Sequence, residues 1–459
     1  MNTDNLIMSA TEQKAGVAAI VISLFLAAVD GTIISTVLPV IGIELGRPSL
    51  YPWIMSAFLL PVALVAPLAG ALSDKFGVSA TLKAFMLLFM IASILAAISP
   101  NMPGLIASRA LQGIGAGGII VLSYSFLAAL FDSEKRGKMQ GMLSSVWGLA
   151  AIAGPLLGSI LADIFSWRAV FWFNIPIGIA ALILLYITPS IDKTQNRTLI
   201  DVPAQFLLIA LTLCLLLASR PEDMPNMVFA LWFVILTALL LLIVRVRQHP
   251  DSTPVPLQFF QQKALFSIIV LVLMSSAGLY ASVTLLPLAL NQQEETILSG
   301  GLLIMLAALG WVIGSAFCGN RLAIFGYRKM AATGMLMLAS GAFLMIAAIG
   351  NHSLTLIAIA LLLIGLGMGF AATTTLVLAQ NSAPVGKLGT WTATVQFLRN
   401  LGAALGVNTL AAIQLQLPGT YSFQICFTIL GFSMLLGLGF ALLLPRIYAT
   451  SNHYLMEKE

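Results

Sequence analysis

Apolar runs of roughly 20 residues, broken only by short polar loops, recur from one end of this chain to the other and leave it a single solvent to fold in. They fall at 16–43, 51–72, 80–99, 104–130, 140–162, 169–190, 201–219, 226–244, 264–290, 298–319, 330–349, 354–380, 389–413 and 422–444. A helix needs about 20 apolar residues to cross a hydrocarbon core about 30 Å thick. The pattern therefore predicts fourteen transmembrane helices in an all-α integral membrane protein. Nothing shows the strand-period alternation of a barrel, and inside lipid a helix satisfies its own backbone. Charged residues make up 8% of the chain, against about 25% in soluble domains. No soluble domain is expected.

Basic residues set the expected orientation. With both termini cytoplasmic, 17 of the 22 Lys and Arg fall inside, while Arg47, Arg168 and Arg220 fall outside. The two left over, Arg109 and Arg399, lie within helices. The positive-inside rule selects this orientation. It also accounts for the net charge of +5, so a nucleic-acid partner has no support. Cys214, Cys318 and Cys426 sit in separate apolar runs without metal or disulfide spacing, and read as packing residues. His249, His352 and His453 lie in loops or a tail, without the spaced ligand pairs of an intramembrane metalloenzyme. No metal, cofactor or enzyme is expected. The first apolar run lacks the short core and small-residue cleavage site of a leader, and reads as a retained helix.

An internal repeat organises the chain. The segment from Gly70 to Gly77 recurs as the segment from Gly319 to Gly326, 249 residues on. Gly113, Gly115 and Gly117 recur as Gly365, Gly367 and Gly369, and Gly154 as Gly406, each 252 residues on. Two six-helix bundles are implied, at 1–198 and 249–459, with an inserted helix pair at 199–248 that has no counterpart. Duplicated bundles of this kind place substrate at the midplane between the halves and work by rocking.

Two charges lie deep in the first half. Asp30 is the only charge between Ala15 and Ile43, about 22 Å from the inner end of its helix at 1.5 Å per residue. A carboxylate at that depth costs about 2.5 to 3.5 kcal/mol on insertion scales, so it marks a functional residue with a partner. Arg109 is the only charge between Lys83 and Asp132, and lies about 8 Å into its span from the outer turn at Pro100 to Pro103. The spacing predicts that Arg109 reaches Asp30 directly or through Gln112. Pairing makes insertion tolerable, and separation in another conformation frees Asp30 to take up a proton. The competing reading is a carboxylate that only ties two helices together.

The segment Val29, Asp30, Gly31, Thr32 to Pro39 resembles the first-helix signature of the fourteen-helix drug/proton antiporters of the major facilitator superfamily, with Ser35 where that family usually has Asn. Arg109, Gln112, Gly113, Gly115 and Gly117 are similar to the superfamily's fourth-helix motif. Gly148 with Gly154, Pro155 and Gly158 resembles the fifth-helix antiport motif, with Ser159 replacing its last Gly. Trp167, Arg168, Phe171, Asn174, Pro176 and Gly178 match at the sixth helix. Gly70, Asp74, Lys75 and Gly77 resemble the gating-loop motif, although Val78 and Ser79 stand where it carries basic residues, and Lys83 is the nearby substitute. Close packing alone would produce the same fifth-helix glycines.

The resemblance covers the whole chain. It implies alternating access driven by the proton gradient, with Asp30 and Arg109 coupling protons to export of hydrophobic or amphipathic compounds. It also implies a monomer in a bacterial plasma (inner) membrane, with an envelope adaptor protein left open. In this fold Phe25, Gln112, Tyr124, Trp147, Tyr280, Trp391, Gln396, Arg399 and Asn400 are candidates for the substrate cavity. Arg399, without another intramembrane acid to pair, keeps open a proton-linked transporter of one anionic metabolite.

Overall fold

The computed structural model describes residues 9–46, 50–188, 200–218, 228–250, 252–291, 297–417 and 421–446. Arg47, Arg220 and His453, named above, lie outside them, as do Lys193, Arg197 and Lys458, three of the 17 cations expected inside. The described chain is helical. In order come α1 (Ala10–Leu45), α2 (Tyr51–Phe76), α3 (Val78–Ala97), α4 (Met102–Leu130), α5 (Ser133–Ile164), the short α6 (Ala169–Trp172) and α7 (Asn174–Ile187). Then follow α8 (Val202–Ala218), α9 (Val228–Gln248), the short α10 (Gln258–Gln261), α11 (Lys263–Asn291), α12 (Ile297–Gly350), α13 (Leu354–Ser382), α14 (Leu388–Gln416) and α15 (Tyr421–Ala441).

Local sequence explains where these helices start and break. Ser9 and Glu12 form a reciprocal cap at α1: Glu12 N–H donates to Ser9 Oγ at 3.2 Å and Ser9 N–H to Glu12 Oε2 at 2.8 Å. Asn101 accepts from Gly104 N–H at 2.9 Å, with Pro103 in the first turn of α4 where its missing N–H costs nothing. Gly77, with φ 89, turns the chain from α2 into α3. Its repeat partner Gly326, with φ 76 and ψ 167, breaks α12 at the matching place. Only glycine takes that backbone at no steric cost. With α12 counted as two limbs and the turns α6 and α10 set aside, fourteen helices remain, as the apolar runs predict.

Eleven of the described helices are long and apolar enough to cross a membrane, with the two limbs of α12 taken as one. The two further helices explain themselves. α8, with 17 residues, is short. α14 carries Thr390, Thr392, Thr394, Gln396, Arg399 and Asn400, a polar content that fits a helix facing protein rather than lipid.

The chain divides into two compact units, Met1–Asp132 with Leu149–Arg197, and Ser133–Gly148 with Thr198–Glu459. α5 contributes its second half to the first unit and its first half to the second. In the first unit α4 packs on α1, α2 and α3, and α1 on α7. In the second unit α13 packs on α12, α11 on α14, α12 on α15, and the inserted pair α8 and α9 on each other, with α8 also touching α14.

The repeat reappears as matched close packing. A Cβ on Gly113 would strike the Phe58 carbonyl, and one on Gly365 the Ala307 carbonyl, 249 residues from Phe58. Gly117 meets Val62 and Gly369 meets Trp311, again 249 apart. Gly115 meets Phe89 and Gly367 meets Leu338, with the same offset. Small residues let helices approach in this way inside a membrane.

Candidate functional site

Four helices of the first unit bring one polar cluster together in an otherwise apolar core. Asp30 on α1 and Arg109 on α4 are 0% exposed and form an ion pair between Asp30 Oδ2 and Arg109 Nη1. The structure brings these two sequence-predicted residues together, with Gln112 beside them. Arg109 Nη1 also donates to Gln112 Oε1 at 2.9 Å, which turns the Gln112 amide nitrogen toward Ser93 Oγ at 2.8 Å and toward Asp30 Oδ1 at 3.4 Å.

Two members were not singled out as site residues from sequence. Asn174 on α7 donates through Nδ2 to Asp30 Oδ1 at 2.9 Å and to Ser93 Oγ at 3.2 Å. Ser93 on α3 donates its own hydroxyl proton to the Phe89 carbonyl at 2.8 Å, so its oxygen accepts from both amides. Asn174 carried a signal, because it stood in the sixth-helix motif. Ser93 had none, being one small polar residue in an apolar run. The guanidinium of Arg109 lies over the Phe58 ring at 4.2 Å, and Phe171 is 5.9 Å away, so its face meets aromatic quadrupoles. The partners reach Arg109 through Nη1 alone, and its Nε and Nη2 have no hydrogen-bond partner among the described residues; removing one member of a buried charge pair costs about 3–5 kcal/mol.

The other predicted residues are dispersed. Gly70 is buried, and its carbonyl accepts from Ser73 Oγ at 2.8 Å. Asp74 is half-buried and Lys75 exposed, with the Lys75 amine 5.1 Å from the Phe76 ring. Lys83 points its amine over Tyr186 of α7 at 4.4 Å. In the first unit a Cβ on Gly154 would strike Thr32, and one on Gly158 would strike Thr36 and Ile33. Pro155 lies inside α5, and its carbonyl accepts from Ser159 Oγ at 3.0 Å. Thr32 Oγ1 donates to the Ala150 carbonyl at 3.1 Å, tying α1 to α5. In the second unit Gly148 sits against Val312 and Trp147 stacks on Trp311 with centroids 6.5 Å apart.

Among the cavity candidates, Tyr124 and Trp391 are packed inside their own units, Trp391 on Phe259 at 4.9 Å. Phe25, Tyr280 and Asn400 are half-buried. Gln396 and Arg399 come together, Arg399 Nη1 donating to Gln396 Oε1 at 3.0 Å.

Two further charged contacts lie outside this cluster. Trp167 Nε1 donates to Glu44 Oε2 at 2.6 Å, and Arg168 pairs with Glu44 Oε1, so the sixth-helix Trp-Arg motif clamps the end of α1. The Arg168 guanidinium first, then the Trp167 N–H, hold the Glu44 carboxyl below its usual value of 4.5. Within the second unit Arg136 Nη1 donates to the Gln380 carbonyl at 3.1 Å and to Asn381 Oδ1 at 2.7 Å. A cation there complements the C-terminal end of α13. Asn381 Nδ2 in turn donates to the Tyr327 hydroxyl at 2.9 Å.

Repeated helices long and apolar enough to cross a membrane, with a buried carboxylate and guanidinium paired inside the first unit, describe a multi-pass membrane protein of the transporter class. The chain belongs to the Major Facilitator Superfamily, whose pattern residues 20–407 match. It is similar to the multidrug transporter protein MdtP of Bacillus subtilis, 28% identical over 406 residues, covering 86% of this chain and 74% of that one. The multidrug efflux pump SdrM of Staphylococcus aureus is 28% identical over 300 residues, 64% of this chain and 66% of that one. The solved proton:xylose symporter XylE shares the fold with a TM-score of 0.69 at 15% identity, covering 94% of this chain and 96% of that one. The human organic anion transporter MFSD10 does so with a TM-score of 0.67 at 17% identity, covering 94% and 99%.

Proposed function

We propose that this transporter exports hydrophobic or amphipathic compounds in exchange for protons, by alternating access. The observation that carries the reading is Asp30, fully shut from water and held by Arg109, Asn174 and Gln112. A carboxylate so enclosed exchanges a proton only when the protein rearranges, and its partners then lose a counter-charge. Proton uptake and conformational change are thereby linked. The names of its relatives, multidrug transporter and multidrug efflux pump, support export of drug-like molecules. On this reading the proton gradient replaces any cofactor, and the chain works as a monomer in a bacterial inner membrane with both termini cytoplasmic.

The test is uphill transport in proteoliposomes under an imposed pH gradient. A proton moving down a membrane potential supplies about 2.3 kcal/mol per 100 mV, and Asp30→Asn keeps the shape of the side chain but cannot titrate, with its one oxygen left to accept where two did. Wild type is expected to concentrate ethidium, and the variant only to equilibrate it. Accumulation by Asp30→Asn would mean that another ion or another residue drives transport.

A further inference from the structure

Arg399 is the second deeply buried cation, and its surroundings differ in kind from those of Arg109. It sits at the twelfth of the 29 residues of α14 with 6% of its surface exposed. Among the described residues it makes no ion pair. Its Nη1 is taken by Gln396 Oε1. Its Nη2, and the Nε2 of Gln396, are shielded and have no hydrogen-bond partner among the described residues. Because Gln396 turns its oxygen to Arg399, its amide donor is left free. Two unused N–H donors therefore lie one helical turn apart, beside a positive charge. Ser276 on α11 and Thr373 on α13, helices that both pack on α14, also hold buried hydroxyls without a partner.

A buried guanidinium with nothing opposite costs several kcal/mol, and orphaned donors beside it add to that cost. We infer that Arg399 and Gln396 form a binding subsite for a carboxylate, so that the exported compounds include amphipathic organic acids. Donor count and charge select this class. The Nη2 of Arg399 and the Nε2 of Gln396 offer two donors to the two oxygens of a carboxylate, and the bond from the guanidinium is charge-assisted. One positive charge is neutralised by a monoanion, whereas a doubly charged phosphate would leave a net negative charge in an apolar interior. The inference specifies the substrate of the export reading, and rests on it for the direction of movement.

The experiment compares 1-naphthoate with 1-naphthalenemethanol, the same ring system without the charge, on purified full-length protein in detergent. Ligand that binds the folded state raises its unfolding temperature. Naphthoate is expected to raise it and the alcohol to have little effect. Arg399→Gln is expected to weaken naphthoate binding about tenfold, with part of the affinity kept by Arg399→Lys, since each tenfold in Kd is one charge-assisted hydrogen bond or less. Gln396→Leu, which removes the second donor alone, is expected to cost less than Arg399→Gln. Equal shifts from acid and alcohol, or unchanged naphthoate binding in Arg399→Gln, would overturn the subsite. If Arg399→Gln does not fold, the wild-type comparison of acid with alcohol decides on its own. A parallel arm with oleate separates a fatty acid drawn from the bilayer from an acid taken from water. Ethidium accumulation by the wild type keeps the outcomes apart: ethidium driven without naphthoate binding defeats the subsite alone, and naphthoate bound without driven ethidium defeats the export reading.

Discussion

Asp30 shows how a residue that costs several kcal/mol to place in a membrane becomes tolerable. Its two oxygens are met by a guanidinium and two amides, and each amide is fixed by Ser93. Asn174 is the best placed of the two amides, at 2.9 Å against 3.4 Å for Gln112. Asn174→Ala is therefore expected to destabilise the protein by about 1–3 kcal/mol, the cost of leaving a buried acceptor underserved, read as a lower unfolding temperature in detergent. An unchanged unfolding temperature would show that Asn174 holds nothing in place. The pair itself was legible from sequence because a charge in an apolar run stands out. Ser93 was not, because a serine inside a helix usually bonds its own preceding turn and gives no sign of what else it meets.

At the scale of helices, the repeated glycines act as contact points where backbones touch. Gly113→Leu and Gly365→Leu are each expected to abolish folded protein, because the added side chain would meet a carbonyl that cannot withdraw. Gly439→Leu on α15, with nothing within 4 Å of its added Cβ, is expected to express normally. Monodisperse yield after detergent extraction distinguishes these cases. The clamp of Trp167 and Arg168 on Glu44 makes a separate expectation about acid. The Glu44 carboxyl titrates below its usual 4.5, so its contribution is present above that value and disappears as pH falls through the lowered one. The pair is well exposed, with side chains 31% and 47% accessible, and is worth about 0.2–1 kcal/mol. Glu44→Gln should therefore lower the unfolding temperature slightly at pH 7 and by less at pH 3. An equal effect at both values would show that charge is not what Glu44 contributes.

For the whole molecule the parity of crossings is decisive. If both termini are cytoplasmic, as the positive-inside rule predicts, the eight spans before it place the Arg245 to Lys263 connection inside. A cysteine introduced at Gln248, with Cys214, Cys318 and Cys426 replaced, is expected to react with a membrane-impermeant reagent only after the cells are opened. Labelling in intact cells would mean an odd number of crossings before it. The inserted pair leads to this loop, and α9 turns Phe229, Phe233, Leu236 and Leu240 outward while burying only Ile235 and Ala238 among its large apolar side and neighbouring positions. That exposure suits a helix facing lipid on most of its circumference.

Run length, charge placement and the repeat at 249 to 252 residues were enough to give the number of helices, the expectation of two related halves and the Asp30 and Arg109 pair, because the bilayer imposes length and penalises charge one helix at a time. Gly77 and Gly326 stood out in the sequence as repeat markers, and the structure adds that both take a positive φ at the matching turn. What only tertiary structure decided is which side chains meet across helices far apart in the chain: Asn174 on Asp30, Trp167 on Glu44, Arg136 at the end of α13, and Gln396 turned so that its own donor and that of Arg399 are left over. A helix repeats every 3.6 residues and says which residues share a face. The neighbour of that face depends on how every other helix packs, and no single segment contains that information.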